Sequence, residues 1–414
     1  MRVTAGFSRL LRLGGVWIRD VQFNEDRVVV WFALRRRRLV CPVCGYATRH
    51  RHNQQRVESV WRHLDLGVWR LELRAQLRRL QCPQHGVRVE GVPFARHGAR
   101  FTRDFECLVA WLASRTDKTT ITRLVRIDWG TVGRIIARVC EDELDPDRLE
   151  NLFEIGVDEV SWKRQHNYLT LVADHIRGQI VWGHEGSDAA TAGRFFKQIG
   201  KSRSHAIEVI SLDMGPGYAK AAREHAPQAI IAIDPYHVVA VGNRALDEVR
   251  RDYWNELRAV GDKDAARRFK GARWSLLKAP QRLNDDQAAT LRRLRRAGGQ
   301  VWRAYTLKEA LRAIFQPGLT LADVTILIDR FISKASRSRL APFVRLAGTI
   351  RRHRDGILAA IRLGINQGRT EALNNKVRLI TRRAYGFHSP EAALALVMLT
   401  CGPITLQPPH ELSH

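Results

Sequence analysis

Three carboxylates stand in settings that chemistry could use: Asp158 in FEIGVDEVSW, Asp213 in EVISLDMGPGY and Glu371 in NQGRTEALNNKVRLITRR. Magnesium takes hard oxygen ligands and keeps several waters, so a few carboxylates and a substrate phosphate complete its shell. Two such ions clamp the attacking and leaving oxygens of an in-line displacement. Dispersed acids that a fold gathers at one point are what a magnesium (or manganese) pair needs to cut and rejoin a phosphodiester. Any one acid among 42 Asp and Glu residues is ordinarily solvated surface, so the elements around these three must carry the reading.

From about residue 152 the pattern is that of strands. FEIGVDEVSW, NYLTLVAD and GQIVWGHEG read as an antiparallel meander, followed by a helix at about 188–201 and the buried strand AIEVISL ending at Asp213. A helix through Tyr218 to His225 and a strand AIIAI ending at Asp234 complete the run. Three strands, helix, strand, helix, strand is the element order of an RNase H-like domain, with one acid mid-way along the first strand and another near the end of the fourth. Asp234 also ends a strand and competes with Asp213; the element order favours Asp213.

Between about 240 and 360 the chain is almost wholly helical, an expected insertion before the third acid appears. A last helix at about 369–384 returns to the site. At 100° per residue its Glu371, Asn374, Asn375, Arg378 and Arg382 share one face, and Leu373, Val377, Ile380 and Ala384 the other. A face of Glu and Arg is common surface decoration. Asparagines three and four positions after the acid are less expected there, since they lower helix propensity.

A second set of ligands lies near the N-terminus. Cys41 and Cys44 in CPVCG, and Cys82 and His85 in CPQHG, are each separated by two residues on a Pro/Gly knuckle that turns both side chains to one point. That predicts a closed Cys3His tetrahedron holding structural zinc. The interval between the pairs is long enough for a hairpin. Cys107, Cys140 and Cys401 lie in apolar settings and read as packing residues.

Between these sets, KTTITRLVRIDWGTVGRIIARV has the layout of a helix-turn-helix. Asp128 can cap a helix with Val132, Ile135, Ile136 and Val139 on one face and Thr131, Arg134 and Arg138 opposite. An amphipathic surface helix has the same periodicity, but the chain carries 69 Lys and Arg against 42 Asp and Glu, a net charge of +27. A polyanion is the natural partner, because each neutralised phosphate releases condensed counterions. No run approaches 18 apolar residues and the N-terminus lacks a signal-peptide core, so a cytoplasmic, nucleoid-associated protein without membrane contact is expected.

These motifs together resemble the DDE transposases of bacterial insertion sequences, specifically the family usually written IS-L-three. The resemblance spans nearly the whole chain: CPVCG, the helix-turn-helix, GVDE, LDMGPGY, DPYHVV, RWSLLK, AYTLKEALR and NQGRTEALNNKVRLITRRAYGF. It implies that Asp158, Asp213 and Glu371 are a metal-binding triad, and that Asp234 and His237 form the DxxH element after the second acid. His85 stands where such families often show a fourth cysteine. The implied fold is multidomain α+β: a zinc module at 1–100, a helix-turn-helix at 101–150, an RNase H-like domain at 151–239 resumed at 361–414, and the helical insertion at 240–360.

The expected activity is metal-assisted strand cleavage and strand transfer without a covalent protein intermediate. The zinc module, Thr131, Arg134 and Arg138 would read terminal inverted repeats, and Lys376, Arg378 and Arg382, with Asn374 and Asn375 on the same helix, would contact phosphate or flanking DNA. A dimer or larger assembly on double-stranded DNA, element ends and target alike, is expected because two ends must be joined. Two alternatives remain open: a nuclease that only hydrolyses, and a non-enzymatic zinc and helix-turn-helix regulator.

Overall fold

The structure, a computed structural model, describes residues 2–163, 167–364, 367–384 and 387–411; the side chains at 216, 268, 270, 367–371 and 374 also lie outside the described set. The chain forms two compact units, Met1–Pro146 with Leu379–His414, and Asp147–Arg378.

The first unit opens with helix α1 (Val3–Leu11) and strands β1 (Val16–Phe23) and β2 (Arg27–Leu34). Two short strands, β3 (Leu39–Val40) and β4 (Ala47–Thr48), pair with each other. The long hairpin β5 (Arg56–Leu66) and β6 (Trp69–Cys82) follows, then β7 (Gly86–Val89). The sheet order is β1-β2-β6-β5, with β7 on the far end of β6. Alternation along β6 buries Leu71, Leu73, Ala75 and Leu77 against Val28, Val30, Phe32, Trp61 and Phe94. β5 was not foreseen; its RVESVWRHLDL alternates less cleanly because Arg62 and Asp65 are engaged in ion pairs.

Helices α2 (Arg103–Ala113), α3 (Lys118–Val125) and α4 (Trp129–Glu143) complete this part, capped by Thr102, Asp117 and Asp128. Capping side chains satisfy N–H groups that a helix start leaves unpaired. Further along come strands β8 (Glu154–Lys163), β9 (Asn167–Asp174) and β10 (Gln179–Glu185), helix α5 (Ala189–Ala206), β11 (Val209–Leu212), α6 (Pro216–His225) and β12 (Ile230–Ile233). Helix α5 runs past the expected end at 201 because Gly200, at φ 80°, kinks it and a further turn follows.

The second sheet has the order β10-β9-β8-β11-β12. Its first three strands form an antiparallel meander, and β11 and β12 run parallel to β8. One face packs Ile155, Val157, Ile210 and Leu212 on Phe195, Phe196 and Tyr218 of α5 and α6. Helices α7 (Pro235–Ala259), α8 (Lys263–Lys270), α9 (Arg273–Leu277), α10 (Asp285–Ala297), α11 (Gly299–Ala313), α12 (Leu321–Ser336), α13 (Ala341–Arg352) and α14 (Arg354–Arg362) share one core around Leu246, Phe331 and Phe343. Gly356 brings α14 against β12: a Cβ there would lie 2.8 Å from Ile233.

Helix α15 (Gln367–Arg383) leads from the second unit into the first, and α16 (Pro390–Cys401) packs on α4. The tail from Leu379 thus groups with the N-terminal unit rather than with the segment from 361 that precedes it. Among the described residues no helix is long and apolar enough to cross a membrane.

Candidate active site, metal centre and nucleic-acid interface

Register brings the acids of the second sheet together. The parallel ladder pairs Ile155 with Ile210 and Gly156 with Ser211, so two residues further on Asp158 and Asp213 come level on neighbouring strands. β11 and β12 pair Leu212 with Ile233, which sets Asp234 level with Asp213 in turn. Alternation turns Asp158 away from the face on which Val157 packs against α5 and α6, and Asp213 directly follows Leu212, which packs on those same helices. Backbone N–H groups orient them: Asp158 Oδ1 accepts from Glu159 N at 2.7 Å, and Asp213 Oδ1 from Gly215 N at 2.8 Å. Asp234 instead accepts from Tyr236 N at 2.8 Å as the cap of α7, with His237 Nε2 3.8 Å from its Oδ2. The expected Asp234–His237 pair is therefore one turn of α7.

A fourth acid, Glu159, was passed over in the sequence although it adjoins Asp158. Desolvation, then the carboxylates of Asp213 and Asp158, hold its carboxyl above the ordinary range, with His237 opposing. Glu159, Asp158 and Asp213 thus lie near enough to act on one another electrostatically, and carboxylate oxygens are the donor type that divalent magnesium or manganese takes. On α15, Leu373, Val377 and Ile380 are buried, and Asn375, Lys376, Arg378 and Arg382 are exposed. The side chains of Glu371 and Asn374 lie outside the described residues.

Two hairpin ends make the second cluster. The β3–β4 turn carries Cys41 and Cys44, closed by Cys41 N donating to Tyr46 O at 2.8 Å. The β6–β7 turn carries Cys82 and His85. Their ligand atoms all lie within 4.8 Å of one another: Cys44 Sγ to Cys82 Sγ is 3.5 Å, Cys82 Sγ to His85 Nδ1 3.5 Å, and Cys41 Sγ to His85 Nδ1 4.0 Å. A tetrahedron with metal–sulfur bonds of about 2.3 Å has edges of about 3.8 Å, so the four donors fit zinc. Burial raises the Cys41 thiol, but the N–H groups of Cys44 and Val43 hold it below its ordinary range, and the thiolate is the ligating form. The β5–β6 hairpin occupies the long interval between the two ligand pairs. Cys107, Cys140 and Cys401 are buried, as packing residues should be.

In the helical part, Val132, Ile135, Ile136 and Val139 of α4 are buried as the periodicity requires. Of the residues expected on the opposite face, Thr131 is buried and Arg138 is half-buried. Thr131 is 7% exposed: its N–H donates to Asp128 Oδ1 at 2.8 Å, and its hydroxyl bonds the same carboxylate and accepts from Arg134 at 2.6 Å. The capping geometry turns it inward. Arg138 donates to Glu106 Oε1 at 2.8 Å, and the Glu106 side chain is fully buried. Burial raises the Glu106 carboxyl above its ordinary range, with Arg138 and Arg96 opposing. Arg134, 67% exposed at the side chain, does face solvent.

Comparison with known proteins gives these sites a common setting. A zinc-finger profile of the transposases of IS204, IS1001, IS1096 and IS1165 matches residues 37–85, and the helix-turn-helix domain of transposase family ISL3 matches 90–140. A transposase profile of the same family matches 155–397. The chain belongs to the ISL3 family of transposases. It is 41% identical over 411 residues to the transposase for insertion sequence element IS1557 of Mycobacterium tuberculosis, covering 92% of each chain. It is 29% identical over 386 residues to the transposase for IS1001 of Bordetella parapertussis, covering 91% of this chain and 93% of that one. As an ISL3 member the chain is a DDE-type, metal-dependent transposase with a DNA-binding helix-turn-helix. The ISL3 zinc-finger span contains all four clustered ligands, and the transposase span contains Asp158, Asp213, Asp234 and Glu371.

Proposed function

We propose that Asp158, Asp213 and Glu371 hold two magnesium or manganese ions and that this centre cleaves the ends of the chain's own insertion sequence and joins them to target DNA. The observation that carries the reading is the level placement of Asp158 and Asp213 on adjacent parallel strands. Ions bound there supply Lewis acidity to the attacking and leaving oxygens of a phosphodiester. The protein's part is to hold the carboxylates in fixed orientation, which the N–H groups of Glu159 and Gly215 do. Cleavage frees a 3′ hydroxyl at the element end, and that hydroxyl then attacks the target strand.

The strand order, antiparallel meander and two parallel strands support an RNase H-like catalytic domain over 151–239. Helices between 240 and 360 form its insertion, and the segment from 361 carries the third acid. The module at 1–100 takes structural zinc through Cys41, Cys44, Cys82 and His85. With the helix-turn-helix at 101–150 it reads terminal inverted repeats of double-stranded DNA, and Arg134 is a solvent-facing guanidinium of α4. Asn375, Lys376, Arg378 and Arg382 offer contacts to flanking phosphate, with Asn374 on the same helix. The assembly on DNA is a dimer or larger, since two ends are joined, and it works in the cytoplasm on the nucleoid.

Cleavage of a labelled inverted-repeat duplex with magnesium, read beside a gel shift of the same duplex, tests the reading. Asp158→Ala, Asp213→Ala and Glu371→Ala should each lose cleavage and keep binding. Retained cleavage in all three would refute it.

A further inference from the structure

The tip of the β5–β6 hairpin is built in a way that its own folding does not require. Leu66 pairs with Trp69, so Gly67 and Val68 form a two-residue turn, and Gly67 has φ +60° whereas Val68 is not left-handed. That is the pattern of a type II′ turn, whose second position commonly takes Asn, Ser or Asp. Here it holds a β-branched apolar residue, 74% exposed, followed by Trp69 at 47%. A lone exposed valine is unremarkable, but this one is clamped.

Arg126, which ends α3 at φ 56° and opens the turn into α4, donates from Nη1 to Val68 O at 2.8 Å and from Nε to Asp65 Oδ2 at 3.1 Å. Arg62 donates to the other oxygen of Asp65 at 3.2 Å. Two guanidiniums therefore neutralise the tip's carboxylate, and Arg70 follows directly. Lower down, Arg62 N donates to Arg100 O and Thr102 N to Arg62 O, both at 2.9 Å, and His63 Nδ1 lies 2.8 Å from Thr102 Oγ1. The hairpin is thereby fixed to the start of α2 and to the turn of the helix-turn-helix.

We propose that Val68 and Trp69 form a rigid apolar wedge that enters the minor groove of the duplex held by the helix-turn-helix. A wedge of this kind unstacks a base step and kinks DNA. DNA is the occupant because the residue that sets the tip, Arg126, belongs to the turn of the DNA-binding motif and leaves the tip with cationic neighbours. The proposal rests on the reading that α3 and α4 bind element ends.

The test uses the full chain and a duplex copied from the DNA flanking its gene, with a fluorophore at each end to report bending. Val68→Asn keeps the turn chemistry and removes the residue that leads the wedge. It should lower affinity about ten-fold or more, the worth of burying a valine side chain, and straighten the duplex. The log–log salt slope should not change, because no phosphate contact is lost. Arg134→Ala, run beside it, should keep the bend and lose preference for the end over a scrambled duplex. Wild-type affinity and bend in Val68→Asn, with preference lost in Arg134→Ala, would overturn the wedge and leave the helix-turn-helix reading standing. A change in the sedimentation of DNA-free Val68→Asn with the bend intact would make the tip a protein interface and overturn it too. Wild-type behaviour in both variants would remove the helix-turn-helix reading and the wedge together.

Discussion

Asp213 stands level with Asp158, each two residues beyond the paired positions Gly156 and Ser211 on adjacent parallel strands. The same register sets Asp234 on the next strand, but its carboxylate caps α7. Asp213→Ala should therefore lower strand cleavage at least about a hundred- to a thousand-fold, the usual cost of losing a group that acts at the reacting centre. Asp234→Ala should lower it less and show a lower melting temperature, since a helix cap is lost. Cleavage assays on the two variants decide between them: activity kept in Asp213→Ala and lost in Asp234→Ala would make Asp234 the second acid.

Gly156 is the reason this face of β8 can seat a histidine beneath the acids. His175 Nε2 lies 2.7 Å from Ser211 Oγ, both buried, and a Cβ at 156 would come 2.8 Å from the His175 ring. The ring cannot withdraw without breaking that bond. Gly156→Ala is expected to cost about 1–3 kcal/mol, the range for overpacking a core. Denaturant unfolding of the single variant and of Gly156→Ala/His175→Ala checks this, because the two changes should be strongly non-additive.

What was legible in the sequence follows from which signals are local. The strand order around Asp158 and Asp213 could be read because buried parallel strands are short apolar runs bounded by turns, and the clustering of Cys41, Cys44, Cys82 and His85 because knuckle spacing is a matter of adjacent residues. The inward turn of Thr131 could not be, since its periodicity is that of an exposed position and the capping carboxylate of Asp128 overrides it. Arg138 looked like a groove-facing cation because its partner, Glu106, lies on another helix. Nor does local pattern reveal that the chain after Leu379 returns to the N-terminal unit, where Arg383 donates to Ala113 O and Ser114 O at 3.3 and 3.0 Å and so satisfies the end of α2.

Zinc should hold the two hairpin ends together, because among the described residues the apolar cluster between them is just Leu39, Cys41, Leu80 and Cys82. Structural zinc contributes about 10–16 kcal/mol in small modules, more than such a cluster supplies. One zinc per chain is expected, falling to none in Cys44→Ala/Cys82→Ala, with end binding weakened and the acids of the second sheet undisturbed. Elemental analysis of the purified double variant checks the assignment, and a full complement of zinc there would exclude these ligands.

The two arginines of α4 should separate cleanly by assay. Arg134 is solvent-facing, so Arg134→Ala is expected to leave stability within about 0.5 kcal/mol of wild type, as surface changes do. Arg138→Ala leaves the buried Glu106 carboxylate with Arg96 as its remaining ion-pair partner, which should cost about 1–3 kcal/mol, the range for a buried polar group that loses one partner. The pH dependence has a definite sign. Burial already raises the folded-state pKa of Glu106 above its unfolded value, and removing Arg138 raises it further. The folded state then binds the proton more tightly than the unfolded chain, so the penalty is absent below the unfolded carboxylate pKa and grows as pH rises through the folded one. Melting curves of Arg138→Ala against wild type at acid and neutral pH should show the larger deficit at neutral pH. An equal deficit at both would mean that Arg138 acts through packing alone and not by neutralising Glu106.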